Sequence, residues 1–303
     1  MKKILILSLL IGSNTVLFAQ SPEDLLNELS AETTPKHEPV TATFKTTRVI
    51  LSQSNETVPQ YGLDFRVAHR FDNVFGAGAG FQSFYGFDLS KDIRIAFEYG
   101  ITDKLTIGIG RNKIGRTIDG LIKYKALQQT TDNSIPLSVT LFTSSGASTE
   151  SNNPELTAKD TRRLSYVYQA VITRKFSKDF SLALLPTMVH RNYVPAKDEN
   201  NLFAMGIAGR MKVTSRFALV ADYYYVNSSL RNNDKNYHAP LGLGFEIETG
   251  GHVFSMNFTN APGIIENTFI PGYSSNWLKG EFKFGFNISR VFFVYKKDKG
   301  NRS

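Results

Sequence analysis

The sequence contains no cysteine, only one tryptophan and no apolar run long enough for a membrane-spanning helix. Without cysteine there is no disulfide framework, no thiolate chemistry and no lipid anchor of the kind attached to a cysteine. A bundle of membrane helices is excluded because each helix would need roughly 18 or more consecutive apolar residues. The five histidines show no metal-ligand spacing, so we expect neither a metal nor another cofactor.

The first residues have the form of a secretory signal. Lys2 and Lys3 precede the apolar stretch 4–11, and small residues lead to a cleavage site before Gln20. After it, Ser21 as an N-cap with Pro22 at the first helical position predicts a short helix. The predicted organisation is a signal peptide (1–19), a periplasmic N-terminal arm with that helix (20–40), a β-barrel (41–295) and a periplasmic tail (296–303).

Residues 202–225 show the pattern that repeats along the rest of the chain. Phe203, Met205 and Ile207 alternate with small residues, and the alternation resumes after a break at 214–215. A period of two with one apolar face predicts a β-hairpin. The candidate strands are 41–52, 60–70, 92–101, 104–111, 116–126, 136–145, 163–175, 180–190, 202–213, 216–226, 239–248, 252–260 and 278–290.

The connections between these strands alternate in length. Turns such as 102–103 and 214–215 are tight, whereas 147–162 and 261–277 are long and polar or irregular. Short turns on one rim and long loops on the other are typical of outer-membrane barrels, with the short turns in the periplasm. About twelve strands enclose an interior too wide for inward aromatics to fill, so we expect the apolar face to point outward to lipid.

The number of candidate strands is odd, whereas an up-and-down barrel with both ends in the periplasm needs an even number. Either 71–91 returns through the lumen, or 41–52 does not span the membrane, or 278–295 divides into two strands. The sequence therefore predicts an all-β, antiparallel up-and-down transmembrane barrel of about 12 strands, with about 14 as the alternative.

Charged residues of both signs fall on the face opposite the apolar one. In a membrane barrel this face lines the lumen, where the charges either pair across strands or face water. Because unpaired buried charges are costly, the mixture favours pairing and an occluded lumen. The predicted lumen-facing charged residues are Asp64, Arg66, Arg94, Glu98, Asp119, Lys123, Arg210, Asp222, Glu246, Glu281 and Lys283.

Several stretches together resemble an uncharacterised Bacteroidetes outer-membrane β-barrel family. They are 69–71 (His-Arg-Phe), 97–111 (FEYGITDKLTIGIGR), 120–125 (GLIKYK), 136–139 (PLSV) and 287–292 (NISRVF). The resemblance spans nearly the whole mature chain, although Asp72 stands where the family is expected to have glycine. It implies the fold and the location, and it implies no reaction.

Motifs for catalysis are weak. The glycine-rich stretch 76–80 lacks the lysine and the strand–loop–helix frame of a phosphate-binding loop. His190 is predicted on the lipid face near the outer rim, but Ser165 on the neighbouring strand falls on the opposite face, so a serine–histidine pair fails. We therefore predict no enzyme activity and no catalytic residues.

The predicted function is a non-enzymatic outer-membrane barrel, either a narrow pore for small solutes or a structural or accessory component. The alternatives are a membrane-embedded lipid hydrolase and a surface binding module that uses the extracellular loops 147–161 and 261–276.

Four statements about partners follow from the sequence. The net charge of +8 suits lipopolysaccharide phosphates, but the basic residues form no stripe of the kind that binds nucleic acid. The alternating stretch 280–295 is expected to be recognised by the barrel-insertion machinery. The helix of the N-terminal arm is a candidate for binding a periplasmic protein.

Overall fold

The computed structural model describes residues 37–76, 79–249 and 252–294. The predicted signal peptide, the helix of the N-terminal arm and the C-terminal tail lie outside these residues. Within them, no helix is long and apolar enough to cross a membrane. The described α-helices have four residues each: α1 (Pro154–Thr157), α2 (Ser229–Asn232) and α3 (Glu266–Phe269). Short 3-10 helices lie at Phe81–Gly86, Ile114–Arg116, Asp160–Arg163 and Trp277–Lys279.

Twelve antiparallel strands form a closed barrel in chain order, and β1 closes against β12. The predicted up-and-down barrel of twelve strands is thereby confirmed. The strands are β1 (Gly62–Asn73), β2 (Ser90–Thr102), β3 (Leu105–Asn112), β4 (Thr117–Leu127), β5 (Ser138–Ser148), β6 (Leu164–Lys175), β7 (Phe180–Arg191), β8 (Asn201–Lys212), β9 (Phe217–Asn227), β10 (Leu241–Thr249), β11 (His252–Thr259) and β12 (Lys283–Phe293).

The outside of the barrel is apolar and the inside is buried. On β8, Phe203, Met205 and Ile207 are 43–56% exposed, whereas Ala204 and Ala208 are buried. This alternation follows from the pleat, which turns successive side chains to opposite faces. Exposed apolar side chains around a closed barrel form the surface that meets lipid.

The candidate strand 41–52 was wrong, and this error explains why the number of candidate strands was odd. Residues 41–52 form no strand; they contain only bends and isolated bridges. They belong to a segment that lies inside the barrel instead of in its wall, as described below. The other two explanations fail, because the described residues 278–294 hold one strand, β12, and the connection after β1 does not lie in the lumen: Phe81 and Phe84 in its 3-10 helix are 83% and 62% exposed.

The direction of the lipid-facing side chains gives a first prediction. Ile207→Arg places a charge on the outer face in the middle of β8, where it should lower the free energy of unfolding by about 2–4 kcal/mol. The matched control is Val213→Arg, just beyond the periplasmic end of β8, which should change it by about 0–1 kcal/mol. Equilibrium unfolding of the chain in lipid vesicles measures both. Equal effects would contradict the assigned face and depth.

Candidate functional site

The interior of the barrel is filled by two pieces of its own chain. The first, here called the inner segment, comprises residues 38–61 and leads into β1. Phe44, Val49, Ile50 and Leu51 are at most 1% exposed and belong to the main apolar cluster. This cluster includes inward side chains of six strands, such as Leu121, Phe142, Val167, Leu185, Leu202 and Tyr224.

The backbone of the inner segment is held by charged side chains of the wall. One carboxylate oxygen of Asp222 accepts hydrogen bonds from the backbone amides of Ile50, Leu51 and Ser52, at 3.3, 2.7 and 2.9 Å. The ammonium of Lys123 donates to the carbonyls of Thr47, Ser54 and Glu56, at 2.6, 3.2 and 3.4 Å.

These bonds satisfy groups that an irregular buried chain would otherwise leave unpaired. Asp222 and Lys123, both predicted lumen charges, therefore bind the backbone of the inner segment instead of each other.

Four of the other predicted strand charges form ion pairs across the wall. Arg94 on β2 lies 2.5 Å from Asp119 on β4, and Arg210 on β8 lies 2.8 Å from Glu246 on β10. Each pair bridges an intervening strand. A side chain at Gly110, on the strand between the first pair, would place its Cβ 2.5 Å from the Arg94 guanidinium, which explains the glycine.

The remaining predicted charges have different surroundings. Arg66 pairs with Asp64 at 3.0 Å, two residues away on β1, and Glu98 accepts from the Thr47 hydroxyl at 2.7 Å. Lys283 donates to Asn73 at 2.7 Å and does not join the central group. Glu281 precedes β12, is only half-buried and accepts from the Asn276 amide at 3.0 Å. The structure thus brings most of the predicted residues to the lumen and leaves Glu281 at its edge.

The second piece is the inward loop, residues 261–271 of the connection between β11 and β12. It contains α3 and is almost entirely buried. Asp92 on β2 accepts from the Ile264 amide at 3.1 Å, and Asn267 donates to Ser165 on β6 at 2.8 Å. The ring of Phe269 lies 5.1 Å from that of Tyr224 on β9. The loop therefore crosses the lumen from one wall to the other.

The inner segment and the inward loop meet at one buried ion pair. The Arg48 guanidinium lies 3.0 Å from the Glu266 carboxylate, and the side-chain amide of Gln53 donates to the other Glu266 oxygen at 3.1 Å. Arg48 also donates to the carbonyls of Leu51 and Ile264. Burial acts to lower the pKa of Arg48, but the Glu266 carboxylate outweighs it and raises that pKa above its ordinary value. The guanidinium is therefore charged at every relevant pH.

His190 and Ser165, the candidates for a serine–histidine pair, do not meet. The ring nitrogens of His190 lie 2.7 and 3.1 Å from the amide oxygens of Asn201 and Asn192, outside the barrel. Ser165 points inward, where its hydroxyl contacts Asn267 and the Gly146 carbonyl. In the register of β6 and β7, His190 pairs with Tyr166, so Ser165 is on the opposite face. Within the described residues, no group of three acidic, histidine or cysteine side chains could hold a metal ion.

Comparison with protein families identifies the barrel. Residues 44–292 match the family described as a membrane bound beta barrel domain, DUF5777. The chain belongs to this family. Since single-chain antiparallel barrels with even strand number and a lipid-facing apolar exterior are the bacterial outer-membrane type, the protein is an outer-membrane barrel. The predicted resemblance is confirmed for the fold, whereas the Bacteroidetes origin stays a prediction.

Structures of bacterial outer-membrane proteins have a similar fold at low identity. A KdgM porin is 7% identical with a TM-score of 0.46, covering 76% of this chain and 99% of its own. The COG4313 outer membrane channel of Pseudomonas putida F1 is 13% identical, with a TM-score of 0.44 and coverages of 78% and 98%. Omp33 of Acinetobacter baumannii is 11% identical, with a TM-score of 0.42 and coverages of 77% and 99%. No curated protein matches the sequence.

Sequence reasoning missed Arg48 and Glu266, the residues that join the two inner pieces. One signal was present: 49–51 is a continuous apolar run, Val-Ile-Leu, that breaks the alternation required of a wall strand. A second signal lies in β6 to β9, whose inward positions carry Val167, Leu185 and Val220. An inner face of that kind predicts something apolar inside the barrel.

The Arg48–Glu266 pair gives a second prediction. Arg48→Met or Glu266→Leu alone leaves an uncompensated buried charge, which costs about 3–5 kcal/mol, whereas the double variant removes both charges. Hydrogen exchange of the amides bound to Asp222 should therefore be faster in each single variant than in the double variant.

The exposed pair Arg162–Glu155, also at 3.0 Å, supplies the control. Arg162→Met should leave this exchange unchanged, since exposed pairs contribute about 0–1 kcal/mol. If the two single variants each accelerate hydrogen exchange and the double variant accelerates it by the sum of both effects, Arg48 and Glu266 are not coupled. That result would contradict the prediction.

Proposed function

We propose that the protein is a non-enzymatic outer-membrane channel for small solutes, held closed in this state by its inner segment. The observation that carries the proposal is how the segment is held: its amides donate to Asp222, its carbonyls accept from Lys123 and its apolar side chains pack against the wall, with no covalent link. Such contacts can be exchanged for water when the segment leaves. The charged wall left behind would then line a hydrated lumen of the kind that conducts polar solutes.

The path of the inner segment supports its removal. At one end, the segment bonds to the connection between β4 and β5. The Val40 amide donates to the Gln129 carbonyl, and the Glu38 carbonyl accepts from the Thr131 amide. At the other end, the Gly62 amide bonds to Pro59 where β1 begins. Both connections lie at the rim with the short turns. A segment with both ends at one rim can withdraw without breaking any pairing between strands.

This geometry also gives the expected periplasmic partner a way to act. A protein that binds the N-terminal arm, which precedes residue 41, would pull on the inner segment directly. The inward loop would follow, because Arg48 and Gln53 connect it to the segment through Glu266.

The alternatives have less support. The serine–histidine pair considered for a lipid hydrolase is separated, because His190 and Ser165 are on opposite faces of the wall. A structural barrel that is permanently filled accounts for the same contacts. It differs from a closed channel in its conductance once the inner segment and the inward loop have been removed.

Planar-bilayer recordings separate these two functions. The mature chain should conduct little. A variant lacking 43–57 should conduct more, and one that also has the inward loop replaced by a short glycine–serine turn should conduct most. A deletion of 152–158, an exposed loop that contains α1, is the control and should not raise conductance. A doubly shortened variant that shows heat-modifiable gel migration, and is therefore folded, but stays silent would overturn the channel.

A further inference from the structure

Four basic side chains lie together on the outside of the barrel, at the rim opposite the short turns. They are Lys91 on β2, Arg111 on β3, and Lys113 and Arg116 in the connection between β3 and β4. All four are exposed. These residues are called the basic patch below. Because β2, β3 and β4 are neighbours in the wall, the patch is one continuous surface.

Hydrogen bonds keep the members of the basic patch close to one another. The Nη1 of Arg111 donates to the Arg116 carbonyl at 2.6 Å. The ammonium of Lys113 donates to the carbonyl of Ser90, the residue before Lys91. Each bond therefore joins one basic side chain to the backbone at or beside another, and the four positive charges are held in one place.

Acidic groups compensate only part of this charge. Lys91 lies 3.6 Å from Asp72. Among the described residues, no carboxylate lies within 4.0 Å of Arg111, Lys113 or Arg116. Since like charges held side by side repel one another, an anion that binds among them is attracted by all of them. Arginine and lysine form charge-assisted hydrogen bonds with phosphate, and the exposed guanidinium of Arg111 suits it in particular.

The basic patch borders the lipid-facing surface. In the register, Arg111 lies between Ile95 on β2 and Ile118 on β4. The preceding outward residue of β3 is Ile109. These three isoleucines are 44–57% exposed on the outer face. A lipid whose headgroup binds at the patch can therefore lay its acyl chains along them.

The connection between β1 and β2 adds apolar surface next to the patch, since it leads directly into β2. The ring of Phe87 lies 4.8 Å from that of Phe71, an outward residue of β1, and 5.5 Å from that of Phe284 on β12. The connection thus lies against the outer face of the wall, and Phe81 and Phe84 are exposed there. Aromatic side chains of this kind are typical of the interface between lipid and water.

On the opposite side of the barrel, the described residues form no such patch. There, the outward residues at the same ends of β6 to β10 are Tyr166, His190, Asn201, Asn227 and Leu241. None of these five is a lysine or an arginine. The basic patch is therefore a local feature of one sector of the wall and not part of a belt around the rim.

We propose that the basic patch binds the phosphate groups of lipopolysaccharide in the outer leaflet of the membrane. Basic side chains at the edge of a lipid-facing surface meet lipid headgroups, whose anionic group is phosphate. Strands about 4.8 Å apart spread the patch across about 10 Å, which is wider than one phosphate. A lipid with two phosphates on a sugar headgroup, the lipid A part of lipopolysaccharide, fits this width. The site lies outside the wall and is independent of the proposed channel.

Native mass spectrometry of the mature chain in detergent tests the proposal. The probes are lipid A with both phosphates, lipid A with one phosphate, and phosphatidylglycerol. Lipid A with both phosphates should bind most tightly, at least about tenfold more tightly than phosphatidylglycerol, because it brings two anionic groups to the patch. Inorganic phosphate in large excess should not displace it, since free phosphate has no acyl chains to lie on the outer face.

A pair of double variants locates the site. Lys113→Gln combined with Arg116→Gln removes two charges of the patch and should weaken the binding of lipid A about tenfold or more. The matched control combines Lys197→Gln with Lys235→Gln. It removes the same net charge from exposed lysines in the connections after β7 and β9, and it should change the binding less than about twofold. Heat-modifiable gel migration shows that both double variants are folded.

Three results would overturn the inference: lipid A that binds no more tightly than phosphatidylglycerol, full displacement of lipid A by inorganic phosphate, or equal losses in the two folded double variants. The first two use the intact chain and need no substitution. Full displacement by inorganic phosphate would indicate a site for free anions instead of a site for a lipid headgroup.

Discussion

Closing twelve strands into a barrel sets the width of the interior, and the rest of this structure depends on that width. Side chains that point inward from opposite walls are too short to meet across such a space. The interior must then hold either water or polypeptide. In this protein it holds most of the inner segment (38–61) and the inward loop (261–271); residues 43–58 and 261–271, which lie outside the strands, are buried or half-buried there.

Filling a barrel with irregular chain raises the problem of the backbone, whose amides and carbonyls have no strand beside them. Asp222 and Lys123 solve it from the wall, one accepting from three amides and the other donating to three carbonyls. A side chain at Gly242 would place its Cβ 2.9 Å from Ile50. The glycine therefore leaves space for the inner segment next to Asp222. Apolar packing holds the inner segment in the lumen, and these hydrogen bonds fix its orientation there.

The architecture was predictable because its signals are local. Period-two alternation located twelve strands, and the alternation of short and long connections gave the barrel its two rims. The lumen charges could also be placed, since a residue's face follows from its position in the strand.

The contents of the lumen were not predictable in the same way. Whether Asp222 binds a neighbouring strand or residues 50–52 depends on contacts about 170 positions apart in the chain. The pairing of Arg48 with Glu266 spans 218 positions, and nothing in the local pattern of either residue indicates it. The continuous run 49–51 was the one local sign that the first candidate strand does not belong to the wall.

Because the chain has no cysteine, one introduced thiol reports the position of the inner segment without interference. Ile50 is fully buried, whereas Leu278, in the connection before β12, is 97% exposed. In folded protein, a water-soluble maleimide should label Leu278→Cys rapidly and Ile50→Cys only after the barrel is unfolded with urea. Labelling of Ile50→Cys at the rate of Leu278→Cys in the folded barrel would contradict an inner segment packed inside the lumen.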